Sequence, residues 1–349
     1  MTLISALQHA AFALVLFLIS FVVTRAMIRF RIMDVPNARS SHDRPTPKSG
    51  GLGILTAFMV GQPCLYFIAD TVRLSERYFI GLIIGSLAVA GVSFLDDLKQ
   101  RSLTFRLFTQ IAATLLVLAS GLVITEVWLP FTGRFELGVS GYVLTALWIV
   151  GLTNAINFMD GLNGLVSGAT AIAAAFLAAI CFLGGSFFGY LLALCLCASI
   201  AGFIPWNFPR ARIFMGDVGS QFVGFSFAVL GVIAAQFDFN RTSFMIVPIL
   251  LFALLFDAIF TFIRRLISGE SVMQPHRTHL YQLLNGSGWT HVQVTSLHLA
   301  FAVLQGLTGL WFLTVSSGHR ILLFLPLLLV QVGYAIWVYR RVAKAELAI

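Results

Sequence analysis

The sequence predicts an all-α, polytopic membrane protein with about eleven transmembrane helices, and its composition and the grouping of its apolar residues support that prediction. Hydrophobic residues make up 59% of the 349 and charged residues only 10%, against roughly 25% charged in a soluble domain. The apolar residues are also gathered into long runs. A helix needs about 20 of them to cross a bilayer, and only a structure that pairs its own backbone polar groups survives there.

Taken in order, the apolar runs place helices near 3–24, 51–69, 78–95, 105–125, 141–158, 163–184, 187–205, 218–236, 242–263, 293–316 and 320–339. The first has no Lys or Arg before it and no small-residue cleavage site, so it reads as a retained helix. With the N-terminus outside and the C-terminus in the cytoplasm, 17 of the 22 Lys and Arg residues fall in inside segments. Arg73, Arg77, Arg134, Arg241 and Arg320 stay outside, the asymmetry expected of cytoplasmic loops. The net charge of +8 therefore encodes topology and implies no nucleic-acid partner. The chain reads as one integral membrane domain, 1–349, with cytoplasmic loops near 25–50, 96–104, 158–163, 206–217 and 264–292. Cys64, Cys181, Cys195 and Cys197 lie in apolar runs without metal-ligand spacing and read as small core residues.

Chemistry concentrates at the cytoplasmic helix ends. Asp96-Asp97-Leu98-Lys99 closes the third helix, where two carboxylates meet the negative end of the helix dipole. Such a pair is a solvated acidic turn or a site that needs a cation. Asn154, Asn157 and Asp160 recur every three residues on one face at the end of the fifth helix, followed by Gly161, Asn163 and Gly164; this is a polar cap with a glycine turn or a ligand site. Asn207 and Phe214-Met215-Gly216-Asp217 precede the eighth helix, where Asp217 alone would pass for an N-cap. Asp257 lies inside an apolar span and is a functional candidate by default, with an ion pair to Arg264 as the plainer reading. His276-Arg277-Thr278-His279 forms a compact set of donors suited to phosphate, or a solvated loop. His9, His42, His291, His298 and His319 read as structural. The spacings Gly81-x-x-x-Gly85 and Gly164-x-x-x-Gly168 suit helix packing. Acids and bases at one membrane level suit a magnesium-assisted reaction on phosphates.

In order and spacing these motifs, with Asp34-Val35-Pro36-Asn37 and Gly50-Gly51-Leu52-Gly53 before them, resemble the polyprenyl-phosphate N-acetylhexosamine-1-phosphate transferase family, over most of the chain. The His-Arg-x-His loop is most similar to the branch that initiates O-antigen and related surface polysaccharides; the peptidoglycan branch usually carries three histidines there. The resemblance implies a bacterial inner-membrane enzyme that moves a sugar 1-phosphate from a UDP-amino sugar to undecaprenyl phosphate, a membrane lipid, releasing UMP. It implies Mg²⁺, with Mn²⁺ as a substitute, held by Asp217 and Asp97. Asp96, Asp97, Lys99 and Asp217 would form the catalytic group. Asn154, Asn157, Asp160, Gly161 and Asn163 would help form the nucleotide site with Asn207 and Lys48, Phe214 would stack on uracil, and His276, Arg277 and His279 would bind the diphosphate. Relatives often carry Asp where this chain has Asn163, so a charge-dependent role is not expected there. A homodimer is compatible with the resemblance.

The implied step is attack by a lipid phosphate oxygen on the sugar-bearing phosphorus, with Lys99 and Arg277 offsetting repulsion between the two anions. Direct displacement is expected, although Asp96 or Asp97 as base, as orienter of Lys99 or as covalent nucleophile stays open. The competing readings are the peptidoglycan-branch transferase and a transporter, which would place paired acids in mid-span.

Overall fold

The computed structural model describes residues 2–36, 44–68, 76–99, 103–129, 133–236, 243–271, 274 and 276–346. Asn37, His42, Arg73 and Arg241 lie outside them. The helices are α1 (Leu3–Phe30), α2 (Gly51–Ile68), α3 (Glu76–Leu98), α4 (Leu103–Ala119), α5 (Ser140–Met159), α6 (Leu165–Leu183), α7 (Phe187–Asn207), α8 (Gly216–Gln236), α9 (Ile246–Leu250), α10 (Phe252–Ile267), α11 (Leu280–Gly286), α12 (His291–Phe312) and α13 (Phe324–Glu346). Among the described residues eight helices are long and apolar enough to cross a membrane, and α2 and α4 supply shorter apolar helices.

The outer helices carry broad exposed apolar faces, including Leu14, Leu18 and Val22 on α1 and Val143 and Leu147 on α5. Surfaces of that kind are stable against lipid and not against water. The centre is α8, buried along nearly its whole length and packed by α2, α3, α5 and α7. Its glycines and small residues let the neighbours approach closely. Gly85 on α3 leaves just enough space for the Phe225 ring of α8, confirming the packing role expected of Gly81 and Gly85.

Three segments depart from the sequence expectation. The ninth span is not one helix: it breaks at Leu251, between α9 and α10. Gln305 of α12 mends the break when its amide donates to the Leu250 carbonyl at 2.9 Å and accepts the Ala253 N–H at 2.8 Å. The fourth helix ends at Ala119 instead of running to 125, because Gly121 takes a left-handed φ of +93° and the chain turns into a hairpin of β3 (Glu126–Leu129) and β4 (Gly133–Glu136). The third departure is β1 (Met33–Asp34), paired antiparallel with β2 (Thr46–Pro47). These short ribbons qualify the all-α expectation, and the first of them builds the site.

The four cysteines are free, two of them buried, as small core residues should be. His9 meets the Tyr190 hydroxyl at 3.0 Å, His298 meets the Val294 carbonyl at 3.0 Å, and His319 meets Ser316 at 2.8 Å. These are structural roles.

Candidate active site

The first inside loop folds back through β1 and β2 and is stitched onto the segment before α8. Phe214 donates its N–H to the Pro47 carbonyl at 2.8 Å, and Gly50 and Gly51 donate to the carbonyls of Phe214 and Met215 at 2.9 Å each. This seam delivers Lys48 and Ser49 to the end of α3. Among the described residues Ser49 is one of two non-glycine residues with positive φ, at +69°, and its hydroxyl donates to Asp97 at 2.9 Å.

Asp97 also accepts the Asp217 and Val218 N–H groups at 3.1 and 3.4 Å. It thus caps α8 from another helix, meeting donors that the helix itself leaves unpaired. Gly216, at φ +74°, makes this possible: a Cβ there would lie 2.5 Å from the Asp97 carboxylate. Lys48 stands 3.9 Å away.

Beside this cap, Arg106 of α4 reaches two acids at once, Asp96 at 2.8 Å and Asp217 at 2.9 Å. Asn157 completes the set, donating to Asp217 at 2.8 Å and to Ser220 at 2.9 Å. One helical turn deeper lies a second tier. Gln110 of α4 donates to Gln221 of α8 at 3.0 Å and accepts from Asn154 of α5 at 2.6 Å. Arg106, Gln110 and Thr114 thus form a polar stripe at four-residue spacing on a mostly apolar helix, and Gln110 and Thr114 are buried.

Burial, with Asp217 and then Asp97 adding repulsion, pushes the Asp160 carboxyl up to about 8. Asp160 is consequently a proton-bearing donor near neutral pH. Gly161 beside it leaves room for the Tyr281 hydroxyl, which donates to the Phe158 carbonyl at 3.0 Å.

The histidine loop meets the other side of the α5 terminus, where the Phe158 and His279 rings lie 6.3 Å apart. Asp257, 1% exposed, organises it. Its carboxylate accepts the Leu280 and Tyr281 N–H groups at 2.9 and 3.1 Å and pairs with His279 Nδ1 at 3.1 Å. The expected plain reading of Asp257, an ion pair with Arg264, is replaced by this cap. Arg265 pairs with Glu270, whereas Arg264 keeps Nε and Nη2 buried without partners. Burial, with repulsion from His279, Arg265 and Arg264, pushes His276 down to about 4 despite Glu270, so it is neutral at pH 7. Arg277 lies exposed in the same loop.

The structure gathers most of the expected residues, with three differences of role. Lys99 is exposed, and among the described residues it pairs with neither Asp96 nor Asp97, because it follows the last turn of α3 on the solvent side. Asn207 is buried as a local tie, accepting Gly164 N–H at 2.8 Å and Ser167 at 3.0 Å and donating to the Ile213 carbonyl at 3.1 Å. Asn163 faces the Pro209 carbonyl at 3.4 Å. Arg106, Ser49, Gln110 and Gln221 were not expected.

The chain is similar to known proteins over most of its length. Residues 79–235, which hold Asp96, Asp97, Arg106, Asn157 and Asp217, match the model of glycosyl transferase family 4. The chain is 33% identical, over 80% of its length and 76% of the relative's, to a Bacillus subtilis protein named probable undecaprenyl-phosphate N-acetylglucosaminyl 1-phosphate transferase. The chain belongs to glycosyl transferase family 4. Two further relatives are similar over most of their lengths. A Mycobacterium leprae decaprenyl-phosphate N-acetylglucosaminephosphotransferase is 28% identical over 77% of this chain and 74% of its own. A Yersinia pestis undecaprenyl-phosphate alpha-N-acetylglucosaminyl 1-phosphate transferase is 27% identical over 93% and 89%.

Proposed function

We propose that this family 4 protein transfers an N-acetylated amino sugar 1-phosphate from a UDP-sugar to undecaprenyl phosphate in a bacterial inner membrane, initiating an O-antigen or related surface polysaccharide. The observation that carries the reading is Asp217, set on the positive end of the central helix and ringed by Asn157, Arg106, Asp96 and Asp97. A helix N-terminus attracts phosphate as readily as carboxylate, and the three relatives named above are all named for N-acetylglucosamine phosphate transfer to a polyprenyl phosphate. We read α2, α4 and the broken α9–α10 pair as further crossings beside the eight long helices, eleven in all, with the site on the cytoplasmic face. The basic residues support that orientation.

The donor set fits Mg²⁺, or Mn²⁺ in its place. Among the described residues no three His, Cys, Asp or Glu side chains converge to enclose an ion. Mg²⁺ commonly takes only one or two carboxylates and leaves its remaining positions to water and phosphate. Asp217 would hold it with Asp96 alongside, while Asp97 is engaged by the first turn of α8. The ion supplies neutralisation of the diphosphate oxygens.

The chain's own residues provide the rest. Neutral His276 can donate its ring N–H to a phosphate oxygen, Asp257 fixes the His279 ring beside it, and Arg277 and Lys48 offset the charge of two anionic substrates. Asp160, carrying its proton, can donate to the nucleotide where an ionised acid would repel it. Phe214 offers a ring for uracil. The lipid phosphate oxygen attacks the sugar-bearing phosphorus, the bond to the UMP oxygen breaks, and UMP leaves. A phosphate monoester with a second pKa of about 6 is largely dianionic at pH 7 and needs no strong base.

The decisive test is UMP release by purified protein with Mg²⁺, undecaprenyl phosphate and a panel of UDP-amino sugars. UMP that requires both lipid and metal supports the reading and names the sugar. Folded protein that releases none with any donor overturns it.

A further inference from the structure

Arg106 holds a position that the proposed chemistry needs for something else. Its two terminal nitrogens lie 2.8 Å from Asp96 and 2.9 Å from Asp217, the carboxylates best placed for a divalent cation. Without a cation there, Asp96, Asp97 and Asp217 would repel one another in a partly buried setting.

We propose that Arg106 is a resident counter-ion, which bridges Asp96 and Asp217 and is displaced from them when the divalent ion arrives. This inference rests on the metal reading given above.

Three features of the structure support displacement over a permanent bridge. The Arg106 side chain is 28% exposed and that of Asp217 is 27%, so the Asp217 arm of the bridge stands at the open side of the site, above a buried Asp96. The pose is also incompletely satisfied, because Arg106 Nε is buried without a partner. Finally, the helix beneath is fixed independently: Gln110, one turn on, is tied to Asn154 and Gln221. The guanidinium can therefore leave by rotation of its own long side chain while α4 stays in place. Asp97 differs, since backbone N–H groups of α8 hold it.

The device has a chemical consequence. A monovalent ion offers one charge in exchange for a guanidinium that already supplies one charge and two hydrogen bonds, so it gains nothing by entering. A divalent ion does gain, and the site selects for it before any substrate binds.

The test separates occupancy from mere charge. Arg106→Lys keeps the positive charge, but a single ammonium lacks the planar fork that spans both carboxylates. Mn²⁺ binding by the purified full chain without substrates is read from the loss of the free-ion electron paramagnetic resonance signal. The expected result is that Arg106→Lys binds Mn²⁺ on the order of tenfold more tightly than wild type, matching the loss of about one hydrogen bond to a charged group. Arg106→Met binds at least as tightly as Arg106→Lys. Both variants melt lower than wild type in chelator, and Mg²⁺ closes the gap. Equal Mn²⁺ affinity in wild type and Arg106→Lys overturns the displacement while leaving the metal reading intact. No Mn²⁺ binding by any of the proteins overturns the displacement, and the metal requirement of UMP release decides the metal reading separately. If Arg106→Met does not fold, the Lys variant decides alone.

Discussion

The two sides of the site use opposite electrostatics. Around Asp217 the chain brings together an excess of acids and neutralises them with Arg106 and Lys48. Around His276 and His279 it gathers Arg264, Arg265 and Arg277, with Asp257 and Glu270 as counter-charges. On the proposed reading the first side takes a cation and the second an anion. The last turn of α5 lies between, with Asn157 serving the acids and Phe158 meeting the histidines. A metal-diphosphate complex combines the two complementary charges.

The comparison breaks most sharply at Asp217. Asp217→Asn keeps the size of the side chain and the cap from Asp97, so the protein should remain folded. Loss of the negative charge should lower turnover by at least about 100-fold, measured as UMP release with melting temperature as the control. Near-normal magnesium-dependent turnover would remove Asp217 from the role given to it.

On the histidine side the matching change is Asp257→Ala. It leaves the Leu280 and Tyr281 N–H groups and the His279 ring without their acceptor. Stability should drop by about 1–3 kcal/mol, the range for leaving a buried donor unpaired, with turnover falling alongside. Asp257→Asn, which keeps an acceptor oxygen, should recover part of both. If it behaves like Ala in melting and turnover, the carboxylate's charge matters more than its geometry.

The acidic side was more legible in the sequence than the basic residue that balances it. Asp96, Asp97, Asn157 and Asp217 stand in compact motifs whose spacing puts them at helix ends. Arg106 is a lone residue in an apolar run, and its partners lie 10 and 111 positions away. The rule that an ionisable group in an apolar span is functional by default was applied to Asp257 and applies equally to Arg106. Reading Arg106, Gln110 and Thr114 together would have exposed the stripe. Ser49 left no such trace, because its position depends on the seam between residues 47–51 and 214–215. The break at Leu251 was not legible in its own run, because the mending amide of Gln305 comes from a helix more than fifty residues later.

Titration sharpens the contrast in a way that single-site activity does not. Asp160 is raised from 3.8 to about 8 in the folded protein, so its contribution to stability is fully present below about 3.8 and fades as pH rises to about 8. His276 is lowered from 6.5 to about 4, so its contribution is present above about 6.5 and fades as pH falls to about 4. Asp160→Asn should therefore gain melting temperature relative to wild type as pH rises. His276→Gln should gain it as pH falls. Parallel curves for either variant and wild type across its window would show that the group titrates normally.

The smallest effect is expected at Lys99, the residue that sequence and structure place most differently. Adjacent in sequence to the acid pair, it invites the role of their counter-ion, yet it is exposed past the end of α3 while Arg106 occupies the Asp96 side. Exposed charges that form no fixed pair contribute little, about 0–1 kcal/mol. Lys99→Ala should keep turnover within about threefold of wild type and leave the melting temperature unchanged, because the counter-charge to the acids comes from α4. If Lys99→Ala instead matches the loss seen in Asp217→Asn, the chain end beyond α3 closes onto the site when substrates bind, and the division of charge between the two sides must include it.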